Sequence, residues 1–192
     1  MKNGFFPMVF RQKYIRRWGL MRNMTDETLS EHSYEVSVLT HALCVIGNTY
    51  FNKNYDTGNA ICVALYHDAQ EVYTGDMPTP AKYYNDSMRE NYAKIENNAT
   101  NKLLSMLEPK LAFQYGKLLS CADPEILKIV KAADKLSAYI KCVEECKCNN
   151  TEFKSAKEST YKAMQSYNCE ELNYFIENYL PAFECDLDEL NS

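Results

Sequence analysis

The chain has 192 residues, with 21 Lys and Arg against 26 Asp and Glu, a formal net charge of −5 and 46% hydrophobic residues; this is the balance of one mildly acidic globular domain, residues 1–192, long enough to bury a core. Six glycines and six prolines are too few for a collagen-like rod or a disordered tail, and the negative total argues against broad coating of nucleic acid while allowing a local basic patch that holds one small anion. The longest apolar run, Ala60 to Tyr66, falls far short of the ~20 residues that span a bilayer.

Phe5 to Phe10 is too short for the apolar region of an export signal and runs at once into Arg11, Lys13, Arg16 and Arg17, so a cytoplasmic protein with reduced cysteines is expected. Periodicity then favours helices throughout, and no segment reads as a sheet, so the class is all-α. Thr28 and Glu31 have capping-box spacing and open a helix with Val36, Leu39, Leu43 and Ile46 on one stripe, ending near Gly47. After a loop over 48–58, a central helix is expected from Asn59 to Tyr73, apolar nearly all round its first turns. Gly75, Pro78 and Pro80 break it into a loop over 74–80. Met88, Tyr92, Ile95, Ala99, Leu103 and Leu107 mark a long amphipathic helix, and a shorter one follows Pro109. Asp123-Pro124-Glu125 combines an N-cap, a first-turn proline and a first-turn acid. It opens a helix through Val130, Ala133, Ser137 and Ile140 that ends at Cys148-Asn149-Asn150. Two more helices are expected near 151–167 and 170–179.

Cys44 and Cys62 fall in apolar runs and read as small hydrophobes. Cys142, Cys146 and Cys148 resemble a soft-metal set, yet they lack a paired Cys-x-x-Cys and have no nearby histidine, so ordinary thiols are expected. The three histidines carry more information. The nine-residue step from His32 to His41 turns a helix through roughly 900° and puts them on opposite faces, leaving His41 a structural or surface residue. His67, Asp68 and Glu71 follow the apolar run 60–66 and share one helical arc. At the end of a buried helix such carboxylates require a cation or a hydrogen-bond partner. Asp134 likewise interrupts an apolar stripe, with Lys131 or Lys135 as candidate partners. Taken singly, each of these is a solvated or ion-paired side chain. Taken together, His32, His67, Asp68 and Asp134 make a two-imidazole, two-carboxylate shell for a divalent metal cation. Mn, Co, Fe, Ni or Zn suits that shell better than Ca.

The elements Ser30-Glu-His32, His67-Asp68-Ala-Gln-Glu71 and Ala133-Asp134 resemble the H…HD…D signature of the HD-domain phosphohydrolases. Ile15-Arg-Arg-Trp18, Leu20-Met-Arg-Asn23, Tyr66-His-Asp68, Thr74-Gly-Asp-Met-Pro-Thr-Pro80, Lys82-Tyr83 and Ala138 to Glu145 are similar to the bacterial 5'-deoxynucleotidases. The substitutions between motifs, such as Gly19 and Gln70, leave the functional positions intact.

The resemblance implies an HD-type helical bundle around a metal held by His32, His67, Asp68 and Asp134. It also implies hydrolysis of deoxyribonucleoside 5'-monophosphates to the deoxyribonucleoside and inorganic phosphate by metal-acidified water. Asp68 serves catalysis as well as the metal. Glu71 orients the water or passes a proton to the sugar oxygen, and Arg17 clamps phosphate through its planar guanidinium. Trp18 lies against the sugar, Asp76 accepts from the 3'-hydroxyl, and Met77, Pro78 and Thr79 complete a substrate loop; His32, Asp68 and Asp134 border the same substrate. A homodimer is implied, with neither a nucleic-acid polymer nor a membrane as partner. Two other readings stand beside this one. Another HD hydrolase acts on a cyclic nucleotide, a triphosphate or a pyrophosphate ester, and a non-catalytic nucleotide sensor keeps the shell without the reaction.

Overall fold

In the computed structural model, which describes residues 3–82 and 84–191, the chain opens with a short helix, α1 (Phe5–Val9), and a 3-10 turn over Phe10–Tyr14, neither of which periodicity signals. The first long helix, α2 (Leu29–Tyr50), begins as its capping box requires: the Thr28 amide donates to Glu31 Oε2 at 2.7 Å and the Glu31 amide to Thr28 Oγ1 at 3.3 Å. It runs straight through Gly47, the expected stop. Gly47 is small because a Cβ there would lie 2.6 Å from the Tyr55 ring and 3.1 Å from the Glu171 side chain. The glycine permits a close approach and does not end the helix.

α3 (Thr57–Tyr66) is shorter than expected. Residues 67–70 form a turn, followed by α4 (Glu71–Thr74). Amides of Ala69, Glu71, Val72 and Tyr73 donate three residues back, to Tyr66, Asp68, Ala69 and Gln70, a tighter winding than an α-helix. Periodicity cannot separate the two windings, because both gather residues three and four apart on one side. Gly75 caps α4 at φ +72°, its amide 2.8 Å from the Glu71 carbonyl. The expected loop over 74–80 is interrupted by α5 (Thr79–Lys82), since Pro80 sits in a first turn where its missing amide removes no helical bond.

α6 (Asp86–Leu104) is capped by Asn85, which accepts from the Met88 amide at 2.7 Å. Tyr92, Ala99 and Leu103 are buried on it, whereas Met88 and Ile95, expected on the same stripe, are exposed. α7 (Pro109–Leu119) and α8 (Pro124–Lys147) follow, the latter with Asp123 accepting from the Glu125 and Ile126 amides. A 3-10 turn, α9 (Lys154–Gln165), α10 (Glu170–Asn178), a second 3-10 turn and α11 (Leu187–Leu190) complete the all-helical chain. The bridge between Arg16 and Thr28 is the only β pairing among the described residues, and no helix among them is long and apolar enough to cross a membrane. The cysteines are free thiols, with Cys44 buried but Cys62 exposed, outside the hydrophobic role expected of it.

The chain divides into two units. The first takes in the residues up to Arg22, Asp26–Tyr34 and Leu65–Ala122. Its apolar cluster centres on Phe5, Ala69 and Leu103, with Met8, Tyr66, Val72 and Tyr115 packed against it. The Phe5 and Tyr115 ring centroids are 4.8 Å apart, and Tyr66 meets Tyr115 edge-on. Ala69 therefore ties the 67–70 turn into a rigid core.

The second unit takes in Asn23–Thr25, Glu35–Ala64 and the chain from Asp123 on, with α8 packed along α9. Lys141 and Glu145 form a buried pair on α8 that also grips residues 24 and 25. Glu145 accepts from the Met24 and Thr25 amides and from Asn150, while Lys141 donates to the Thr25 carbonyl and to Glu145. Burial raises the Glu145 pKa, yet these donors outweigh it and hold the carboxyl down to about 2.

Gly47→Val is expected to cost about 1–3 kcal/mol by overpacking against Tyr55, read as a lower Tm; an unchanged Tm shows that the ring can move aside. Because the folded pKa of Glu145 is depressed, its stabilisation is complete above the ordinary value of 4.5 and fades as pH falls toward 2. Glu145→Gln is expected to remove roughly 3–5 kcal/mol at neutral pH, since Lys141 loses its buried partner, and to flatten the acid limb of a denaturation profile; a wild-type acid limb shows that the pair contributes nothing.

Candidate active site

The turn that follows α3 and the first turn of α2 bring together side chains far apart in sequence. His32 is fully buried, with His67 and Asp68 only partly exposed. One ligand atom from each of His32, His67 and Asp68 lies within 4.8 Å of the others, the only such group among the described residues. Asp68 Oδ2 is 2.9 Å from His67 Nε2 and 3.7 Å from His32 Nε2. Metal–ligand bonds of about 2.1 Å hold neighbouring donors about 3.0–3.4 Å apart, a range bracketed by these two separations. Two imidazoles and a carboxylate also suit a borderline divalent cation, so the residues fit the group. His41, on the same helix, is exposed, and Cys142, Cys146 and Cys148 form no comparable group among the described residues.

Glu71 follows the same turn and is 5% exposed. Its Oε2 is buried and finds no hydrogen-bond partner among the described residues. Burial first, then the Asp68 and Asp76 carboxylates, raise its pKa well above the carboxylate range, with Arg17 and Lys82 pulling the other way. Lys82 is 2.6 Å from Glu96 and lies over the Tyr92 ring; its neighbour Tyr83 lies outside the described residues.

Glu27 organises the other wall. It carries no periodic or motif signal that would assign it to the site from sequence. Its carboxylate is 7% exposed. Oε1 accepts from Arg17 Nε at 2.9 Å and lies 3.4 Å from His32 Nδ1, while Oε2 accepts from the Trp18 indole at 2.8 Å. The Arg17 amide also donates to the Glu27 carbonyl at 2.9 Å. Burial raises the Glu27 pKa, but His32, Arg17 and Trp18 together bring it below the ordinary value. Trp18 sits at φ +57°, a left-handed conformation that costs a bulky residue roughly 1–2 kcal/mol. Arg16, by contrast, pairs at the surface with Asp26.

Asp76 Oδ1 is 3.5 Å from Arg17 Nη1, so the expected substrate loop meets the arginine directly. Burial raises the Asp76 pKa, and Arg17 opposes that rise. Met77 and Pro78 are half-buried and Thr79 is exposed at the start of α5. Asp134 is half-buried on α8, in the second unit.

The sequence model of the family described as 5'-deoxynucleotidase YfbR-like matches residues 4–183. A Pectobacterium atrosepticum protein named 5'-deoxynucleotidase ECA3034 is 46% identical over 192 residues, covering 99% of this chain and 96% of that protein. The HD-domain phosphohydrolase lin2634 of Listeria innocua superposes with a TM-score of 0.82 at 20% identity over 98% of this chain and 92% of its own. The cyanophage S-2L HD phosphohydrolase DatZ, bound to dA and one catalytic Zn²⁺ ion, does so at 0.67 and 20% identity over 91% and 95%. These two likenesses establish the helical HD fold.

Mn²⁺ or Co²⁺ at ~100 times its Kd is expected to stabilise metal-stripped protein by about 2.7 kcal/mol, a rise of roughly 5–11 °C in Tm for a chain of this size. Asp68→Asn is expected to abolish most of that rise while raising the Tm of the stripped protein, because repulsion at Glu71 falls. Coincident melting of stripped and metal-loaded wild type overturns the metal assignment.

Proposed function

Because the chain belongs to the YfbR-like 5'-deoxynucleotidase family, we propose that it hydrolyses deoxyribonucleoside 5'-monophosphates to deoxyribonucleosides and phosphate at the corner formed by Arg17, His32, His67, Asp68 and Glu71. The observation that carries this reading is the His32–His67–Asp68 donor group beside a buried Glu71. Asp134 is the fourth donor of the proposal, on the strength of the HD signature alone. A bound divalent cation of the Mn, Co, Fe, Ni or Zn class supplies acidified water and offsets charge on the phosphoryl oxygens.

The chain's own residues do the rest. Arg17, oriented through Nε by Glu27, presents a planar cation to phosphate. Glu71 holds or moves a proton between the attacking water and the departing 5'-oxygen. Asp76 accepts from the 3'-hydroxyl, and Met77, Pro78 and Thr79 shape the loop around the sugar. Trp18 is a donor-only side chain with a single N–H, and that N–H is bonded to Glu27. A ribose 2'-hydroxyl buried against the ring therefore finds no partner on it, a penalty of about 1–3 kcal/mol that deoxyribose avoids. A cytoplasmic homodimer belongs to the same proposal.

Metal-loaded protein is expected to release phosphate from dAMP, dTMP and dUMP, with AMP at least about 5-fold slower in kcat/KM. Glu71→Gln is expected to lose about 10²–10⁴-fold in kcat while retaining the metal. Release of phosphate by neither protein, with metal and nucleotide still bound, favours a sensor; products other than nucleoside and one phosphate favour another HD hydrolase.

A further inference from the structure

The geometry points to Glu27 as the positioning residue that sets both phosphate capture and sugar preference, an inference that rests on the activity proposed above. Its carboxylate joins three groups of that site. Oε1 fixes Arg17 Nε at 2.9 Å and stands 3.4 Å from His32 Nδ1, and Oε2 takes the Trp18 indole N–H at 2.8 Å. The main chain is joined as well, through the Arg17 amide to the Glu27 carbonyl and through the Arg16–Thr28 bridge. Residues 16–18 are thus held against residues 27 and 28 by side chain and backbone together. The left-handed Trp18 backbone is a conformation that persists only where its surroundings over-determine it, and Glu27 contributes to that determination together with the backbone hydrogen bonds of Trp18 to Asp76 and Met21.

Both carboxylate oxygens are used, so a side chain of similar length without the carboxylate releases Arg17 Nε and the indole at once. With its N–H bonded to Glu27, Trp18 shows the sugar an apolar face. Once released, the same N–H becomes a donor that a ribose 2'-hydroxyl can use. Glu27 accordingly acts on discrimination through Trp18, on phosphate through Arg17, and on the orientation of His32 through Nδ1.

Trp18 is the single tryptophan of the chain, so its indole gives one resonance in an amide–nitrogen correlation spectrum. In wild type loaded with diamagnetic Zn²⁺ that resonance is expected downfield and slow to exchange with solvent, and to stay so when deoxyadenosine and inorganic phosphate are added. A fast-exchanging indole, or one that leaves its hydrogen-bonded position when the products bind, overturns the inference without any variant. Glu27→Met, similar in length and with only a weak thioether acceptor in place of the carboxylate, is expected to lower kcat/KM for dAMP about 10–100-fold, mainly through KM, and to shrink the dAMP-over-AMP preference at least about 5-fold. A folded variant with wild-type preference overturns it; where the variant does not fold, the indole resonance decides. Wild type that releases no phosphate from dAMP overturns the activity instead, and the resonance then decides the Glu27 arrangement alone.

Discussion

Carboxylates withdrawn from water repel one another unless positive charge stands among them, and the corner around Asp68 gathers an unusual number of them. Glu27, Asp68, Glu71 and Asp76 are all buried or half-buried there, and Arg17 is the guanidinium placed among them. Glu27 is satisfied by Arg17, Trp18 and His32 and keeps a low pKa, whereas Glu71 and Asp76 are pushed upward. Glu27 is thus held charged by the protein's own donors, whereas further positive charge at the His32–His67–Asp68 donors would relieve Glu71 and Asp76. A divalent cation has the charge and ligand preference to do this. Destabilisation of this kind is the expected cost of a preorganised site.

Such repulsion persists only on rigid supports. Ala69 lies between Asp68 and Glu71 in sequence and is fully buried with Phe5 and Leu103, so the turn bearing these acids is anchored in the apolar cluster of the first unit. The Trp18 segment is held by a different device, a short backbone pairing reinforced by one carboxylate. In the second unit Lys141 and Glu145 grip residues 24 and 25. These contacts give a physical role to residues of the Ala138 to Glu145 motif, which in sequence reads only as a family resemblance.

Relatives and fold neighbours carry different weight here. At 46% identity over nearly the whole chain, the Pectobacterium protein places this sequence in a family of deoxynucleotidases. At 20% identity, the Listeria and cyanophage proteins share the helical frame. Conversion of a shared frame into a particular phosphatase is a property of side chains, which is why we assign the sugar preference to the Glu27–Trp18 pair.

The long helices, the caps at Thr28 and Asp123, and the identity of the His67–Asp68 corner are local properties, readable because a 3.6-residue period and a capping side chain act over a few residues. Gly47 reads from sequence as a stop, because the Tyr55 ring that demands a glycine comes from a separate segment. The break at 67–70 leaves no mark in the sequence because a tightened turn and an α-helix have the same apolar spacing. Glu27 looks in sequence like any surface acid ahead of a helix, since burial, and the partners that make burial tolerable, come from residues 17, 18 and 32. Long-range packing decides which charges leave water, and no local pattern records it.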